Sequence, residues 1–596
     1  MARGTLTSDD VGLAKLGKKQ DLKRRFGFWS LLGFATSELI IWEAVLSLLS
    51  LGFTNGGPAG LIYGYIISWL SSMSVYLVIS ELVSMAPIAA GQYYWVFMLA
   101  PNGYREFASY LIGWLTSMAW ISTIATDCIY GGTILQGLMI LRDPSYAETA
   151  TRWQGTLFSW AMIFSAILIN ALIPGAQPKF EIGTIMLHVA GFFTVVGVLW
   201  AYGTHSTTEF VFTTSVNEGG WPTQGLSYLV GYVGSVSLFV GADCSVHMAE
   251  EVDRPTRNVP TAIMTSLFFN GLIGLTMMLT VLYNVGDINS VLNSPTGYPF
   301  LQVFYNALKS RPGAVALGAI TLSLTWSCAI GILTTASRMS WSFARDRGAP
   351  FSDTLRKVDR RNKVPINAIL TVGACSAVIC LIYVGSSAAF NDVVSLNITG
   401  FYGSYFVPSA FLLYRRIKGQ IKPYKGKASG IADDVDDAEE GLPEKVLAGS
   451  AESADGADGA DGADGEISAA AEKVDIAANT KMDLNLAPAQ TSPSFADGTV
   501  AALEIIAEDH SWGWFHVPGL LGTINNIYAC CYMVFVIFFS LWPSEYKPTA
   551  ATMNYSIVVT SGVLIFSLIW YFIRARKEYH GPIIDAEVAA IVVQTS

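Results

Sequence analysis

Two apolar stretches of this 596-residue chain carry a carboxylate beside small polar residues, where an ordinary hydrophobic run would carry Leu. One reads Gly33-Phe34-Ala35-Thr36-Ser37-Glu38. The other reads Phe239-Val240-Gly241-Ala242-Asp243, about 205 residues further on. An interrupted helix at either place releases backbone amides and carbonyls in mid-membrane, tolerable only against a cavity or a ligand. Half-helix ends offer amides to an anion and carbonyls to a cation. A Gly/Ser face for close helix packing is the competing reading of either segment taken alone. Interrupted segments in corresponding positions of two halves point instead to a carrier's binding site. The pairing therefore predicts breaks at 33–37 and 239–243 that hold a solute between them.

Other ionisable residues lie in apolar runs, where a charge at the bilayer centre costs roughly 2.5–3.5 kcal/mol on insertion scales and calls for a cavity or a partner. Glu38 abuts the first expected break and is the leading candidate to touch solute. Glu43 lies five residues on, about 140° around a helix at 100° per residue, so the two do not share a face. Glu43 is read as facing the outer vestibule or as a structural hydrogen-bonding group. Asp127 shares a run with Trp120 and Thr123; it could balance an ammonium, hold a coupled proton or sit in a structural pair. His188 is a candidate proton carrier, because imidazole titrates near 6.5, or a packing histidine. Beyond Asp243 and His247 come Glu250 and Glu251, read either as a solvated face or as an inner gate closed by ion pairs with Arg345 or Arg347.

The elements that position these groups are helices in a membrane. The chain is 52% hydrophobic and 14% charged, against about 25% charged in soluble domains. Runs of 18 or more apolar residues each suffice to cross a bilayer core. They predict twelve spans, at 28–52, 59–84, 106–140, 156–174, 180–203, 226–248, 260–284, 313–343, 366–387, 391–415, 517–542 and 553–573. The polar/apolar alternation of a membrane barrel is missing from these runs. The expected organisation is a cytosolic tail (1–27), a first repeat (28–203), a second repeat (226–418), a disordered acidic loop (419–510), two further spans (511–575) and a cytosolic tail (576–596).

The net charge of −10 describes one segment: 419–510 holds 20 acidic and 6 basic residues. Its repeated Ala-Asp-Gly triplets and scarcity of aromatics predict disorder. A calcium loop is not expected there, because the required spacing of carboxylates is missing. Of the 36 Lys and Arg residues, only Arg142, Arg152, Lys309, Arg311 and Lys547 fall outside if the N-terminus is cytosolic, a bias that sets orientation. The seven cysteines all fall in expected spans and read as small packing residues. No nucleophile elbow, zinc-helix motif or phosphate loop occurs. No metal, cofactor, nucleic-acid partner or enzymatic activity is expected.

The stretch Glu81-Leu82-Val83-Ser84-Met85-Ala86-Pro87-Ile88-Ala89-Ala90-Gly91-Gln92-Tyr93 resembles the signature of the amino acid–polyamine–organocation transporters, with Ala90 in place of a usual Gly. Gly56-Gly57-Pro58, the run from His247 to Val252 and the run from Ala336 to Asp346 resemble its fungal amino acid/choline branch, which includes choline and 4-aminobutyrate permeases. The resemblance spans about 26–418 and 511–575. It implies a five-plus-five inverted repeat with two extra helices and a solute between broken spans 1 and 6. It also implies transport that is often proton-coupled. Glu38, Asp127 and the long acidic insertion depart from the choline-like pattern. The combined expectation is a plasma-membrane symporter importing choline, 4-aminobutyrate, an amino acid or a polyamine by alternating access. A non-transporting sensor signalling through the acidic loop, or an exchanger or uniporter, is the alternative.

Overall fold

The computed structural model describes residues 7–47, 49–286, 288–385, 389–424, 510–550 and 552–585. Most of the expected acidic loop (425–509), the first six residues and the chain end (586–596) lie outside them. Among the described residues the only extended pairings are isolated bridges: Phe26 with Val252, Asn55 with Asn217, and Lys422 with Ser511. The rest is helix and connection, as expected where the surroundings cannot satisfy backbone polar groups.

Among the described residues ten helices are long and apolar enough to cross a membrane, including Gly57–Met85, Arg105–Arg142, Pro174–Tyr202, Pro255–Tyr283 and Arg311–Arg345. Two expected spans are not in that set. The stretch expected at 226–248 is in pieces. The one expected at 391–415 lies in a continuous 29-residue helix, Ala389–Ile417, whose Asn391, Asp392, Asn397, Arg415 and Arg416 dilute its apolar character. Pro174–Tyr202, Ile366–Gly385 and Ser556–Glu578 lie at the rim, and Met186, Phe193, Val378, Ile565 and Ile569 on them stay exposed. Large rings fill the centre: Trp42, Trp95, Trp120, Tyr76 and Tyr405 are buried.

The first expected break is displaced. The helix Phe28–Leu39 runs unbroken through 33–37; the chain leaves it at Ile40, whose φ of 31° and ψ of 46° are left-handed, and re-enters helix at Ile41–Ser47. The competing packing reading explains 33–37. A Cβ on Gly33 would stand 3.2 Å from the Glu181 carbonyl oxygen, and Ser37, one turn on, donates to Glu181 Oε2 at 2.5 Å. These residues bring the first helix against Gln177–Tyr202. A β-branched residue at positive φ is strained by about 1–3 kcal/mol, and no local sequence signal announces it.

The second break falls where the residues place it. The helix Gln224–Ser237 ends, 238–243 form turns, and a short helix Cys244–His247 follows. Gly241 takes a φ of 88°, a conformation open to glycine at little cost. Neighbouring helices hold the turn. Tyr76 accepts from the Ala242 amide at 3.2 Å, Gln92 Nε2 donates to Asp243 Oδ2 at 2.6 Å, and Tyr405 donates to Asp243 Oδ1.

The signature stretch 81–93 serves this framework. His247 Nδ1 lies 2.8 Å from the Ala89 carbonyl, and Gly91 packs close beside its ring. Glu81 accepts from Arg416 at 2.6 Å and from the Val517 amide at 2.7 Å. Arg416 also stacks 4.6 Å from the Trp512 ring. The Lys422 amide donates to the His510 carbonyl at 2.6 Å, and the Trp512 amide to Lys422 at 3.0 Å. The chain thus departs at Lys422 and returns at His510 to one clasped base.

Candidate functional site

A cavity of about 120 Å³ opens where the two interruptions meet. Room for one water takes roughly 10–15 Å³, so the space suits a small solute. Glu38, Leu39 and Ile40 border it from the first interruption, and Ser237, Leu238 and Val240 from the second. Arg105–Arg142 contributes Thr123, Thr126, Asp127 and Tyr130. Cys328 and Ile332 come from Arg311–Arg345, and Val394, Asn397 and Ile398 from Ala389–Ile417. The helices Phe28–Leu39 and Gln224–Ser237 both end at this wall, so each turns the negative end of its dipole toward it.

The polar lining is specific in its bonding. Glu38 Oε1 accepts from the Thr335 hydroxyl at 2.8 Å, while Oε2 has no partner. Asp127 Oδ2 and Asn397 Oδ1 are also without partners. Asn397 Nδ2 donates to Thr126 Oγ1 at 3.0 Å. The hydroxyls of Thr123, Thr126 and Ser237 donate to carbonyls of their own helices, those of Ala119, Ser122 and Gly234. Cys328 Sγ donates to the Glu38 carbonyl at 3.3 Å. Among the described residues no Lys, Arg or His borders the cavity.

Of the residues singled out from sequence, Glu38, Thr123 and Asp127 border this cavity. The others are elsewhere. Gly33, Phe34, Ala35, Thr36 and Ser37 lie within the unbroken helix. Trp120 is buried edge-on against Phe401 and His247, with ring centroids 4.9 and 5.7 Å away. Phe239 packs against Tyr65 at 5.1 Å. Gly241 and Ala242 shape the turn behind the cavity, and both carboxylate oxygens of Asp243 are engaged in holding it. Glu43 does not face a vestibule: it is fully buried, and its Oε1 lies 2.8 Å from His188 Nδ1. Burial without a bond would cost more than pairing, which draws the two together. Glu43 Oε2 and His188 Nε2 have no further partner.

At the end of the bundle that holds Arg345, buried carboxylates are paired with cations. Arg345 grips Glu250 through two bonds, at 2.7 and 2.9 Å, and Arg338 Nε donates to Glu251 at 2.8 Å. Arg347 instead lies 3.6 Å from Asp353, at the surface. Lys18 pairs with Asp346, which also accepts from Tyr93 at 2.8 Å. The N-terminal segment seals this end: Gln20 Nε2 donates to the Glu250 carbonyl at 2.6 Å, and the Arg25 and Phe26 amides donate to that of Glu251.

Sequence reasoning missed Glu181, Arg338, Thr126, Asn397 and Cys328. Arg338 was legible in spacing, because seven residues separate it from Arg345 and put both on one helix face. Glu181 stands at the edge of the span expected at 180–203, close to Lys179, where nothing in the local sequence marks it as buried. Asn397 reaches Thr126 from a helix 271 residues distant in sequence, which no local pattern reveals.

The comparisons agree on one kind of protein. A family model described as amino acid permease matches residues 26–432. A choline transporter of Saccharomyces cerevisiae is 30% identical over 410 residues, covering 68% of this chain and 72% of its own. A GABA-specific permease of the same yeast is 27% identical over 412 residues, covering 68% and 72%. An amino-acid permease of Arabidopsis thaliana is 29% identical over 421 residues, covering 68% and 80%.

Proposed function

The chain belongs to the amino acid permease family, and on that premise we propose that it is a secondary active transporter importing a small nitrogenous solute by alternating access. The observation that carries this reading is the cavity at the meeting of two interrupted helices, bordered by carboxylates without partners. A buried, unpaired carboxylate is costly unless a ligand answers it. The relatives named for choline, 4-aminobutyrate and amino acids support solutes of that size and chemistry. The reading takes the ten apolar helices, the interrupted segment at 224–251 and the helix Ala389–Ile417 as twelve crossings, arranged as five plus five with two more. The Lys/Arg bias supports cytosolic termini.

Alternating access then uses the paired end as the cytosolic gate. With Glu250 and Glu251 held by Arg345 and Arg338, the cavity is shut from that side, and inward release requires those bonds to part. Proton coupling runs through the Glu43–His188 pair, buried and bonded beside the first interruption. Inward movement of one charge gains about 2.3 kcal/mol per 100 mV of membrane potential.

The test is uptake of radiolabelled choline, ethanolamine, 4-aminobutyrate and amino acids by proteoliposomes with imposed pH and voltage gradients. Concentrative uptake of one of them, with accompanying proton entry, is the expected result; uptake indifferent to pH and voltage would sink symport. Glu43→Gln should abolish accumulation against a gradient while leaving solute exchange. Equal loss of both activities would remove the pair from coupling.

A further inference from the structure

We infer that the cavity selects a primary ammonium group, R–NH₃⁺, over a quaternary one and over a solute that also bears a carboxylate. The inference rests on the transporter reading for its biological sense, but on the bonding of the lining for its chemistry. Three residues that border the cavity each carry a buried oxygen without a partner: Glu38 Oε2, Asp127 Oδ2 and Asn397 Oδ1. The residues that carry them are 8%, 8% and 7% exposed, so bulk water does not answer them. With both carboxylates ionised, all three are acceptors.

The donors that would hold an anion are already committed. Thr123, Thr126 and Ser237 turn their hydroxyl hydrogens back to helix carbonyls. Because Thr126 Oγ1 gives its own hydrogen to Ser122, it must accept from Asn397 Nδ2, which fixes the amide with its oxygen free. Cys328 Sγ lies between the Glu38 carbonyl, to which it donates, and Asp127. The amides of 33–37 are inside a helix rather than released. Two helix C-termini add negative potential at the same wall, and no cationic side chain offsets it.

A primary ammonium brings three N–H donors to a lining that carries three acceptors without partners. Each N-methyl replaces one N–H and leaves one oxygen buried without a partner, although the charge is unchanged. A quaternary head is therefore wrong for this lining in a way that Coulombic attraction alone does not reveal. A solute carboxylate would meet two like charges and the spent donors.

Ethanolamine, its N-methyl and N,N-dimethyl derivatives and choline form a series that removes one N–H at a time. Binding is read as thermal stabilisation of the full-length protein in detergent, independently of transport. Affinity should fall roughly tenfold or more at each methylation, and butylamine should bind more tightly than 4-aminobutyrate. Asn397→Leu should weaken ethanolamine about tenfold and leave choline unchanged, with its own unfolding temperature checking that it folds. Choline equal to or tighter than ethanolamine overturns the inference, as does an absence of stabilisation by any primary amine at millimolar concentration. The descending order without uptake in proteoliposomes refutes the transporter reading and supports this one. Choline-first binding with choline uptake does the reverse.

Discussion

The buried carboxylates at the sealed end and those at the cavity differ in one respect, their partners. Glu250, Glu251, Asp346 and Glu81 are each held by a cation: Arg345, Arg338, Lys18 and Arg416. Glu38 and Asp127 each keep an oxygen without any partner. Burial is similar in both places, so burial alone does not distinguish them. A pair closed on itself is a mechanical element, stable until a competing arrangement replaces it. An unpaired group stores an unmet demand that a solute or a proton can satisfy. Glu43 with His188 lies between the two kinds, joined to each other and each with one atom left over.

The contrast can be broken most severely at its paired side. Arg345→Ala leaves Glu250 buried without its two-bonded partner, a loss of about 3–5 kcal/mol. The unfolding temperature should fall by several degrees and uptake should cease. Adding Glu250→Gln should restore most of the stability, and failure to do so would mean that the pair is not what holds this end. The unpaired side should respond in the opposite sense. Glu38→Gln and Asp127→Asn should raise the KM for solute by tenfold or more, with thermal stability unchanged or increased, because a costly charge is removed. A stability loss like that of Arg345→Ala would erase the distinction.

Two smaller effects sharpen it. Gly33→Ala puts a methyl 3.2 Å from the Glu181 carbonyl and should cost about 1 kcal/mol through helix displacement. Solute affinity measured by thermal shift should not change, which separates packing from binding in the first helix. Removing 425–509, whose flanks are already bonded to each other at Lys422 and His510, should leave both KM and unfolding temperature within error.

Much of this was legible from one sequence, for identifiable reasons. Long apolar runs force helices, because only helices satisfy their own backbone in lipid. Gly241 announced the second interruption because a φ of 88° suits glycine and few others. The ion pairs were half visible: Arg345 was among the partners expected for Glu250 and Glu251 and holds Glu250, but Glu251 takes Arg338, two turns earlier on the same helix, and Arg347 takes neither. The first interruption misled because Gly and Ser serve two purposes in membrane helices, and here they serve close approach to Glu181. The break moved to Ile40, a residue with no preference for it, held there by what surrounds it.

Composition, hydrophobic run length and the charges within those runs were properties of the chain itself: helices in a membrane, acids that must find an answer, a polar insertion between Lys422 and His510. Which acid found a cation and which did not was settled only by packing, since Glu38 meets Thr335 across 297 residues and Asn397 meets Thr126 across 271. Backbone chemistry acts over one turn and can be read locally. Partnership between side chains depends on which helices touch, and that is fixed only when the whole bundle closes.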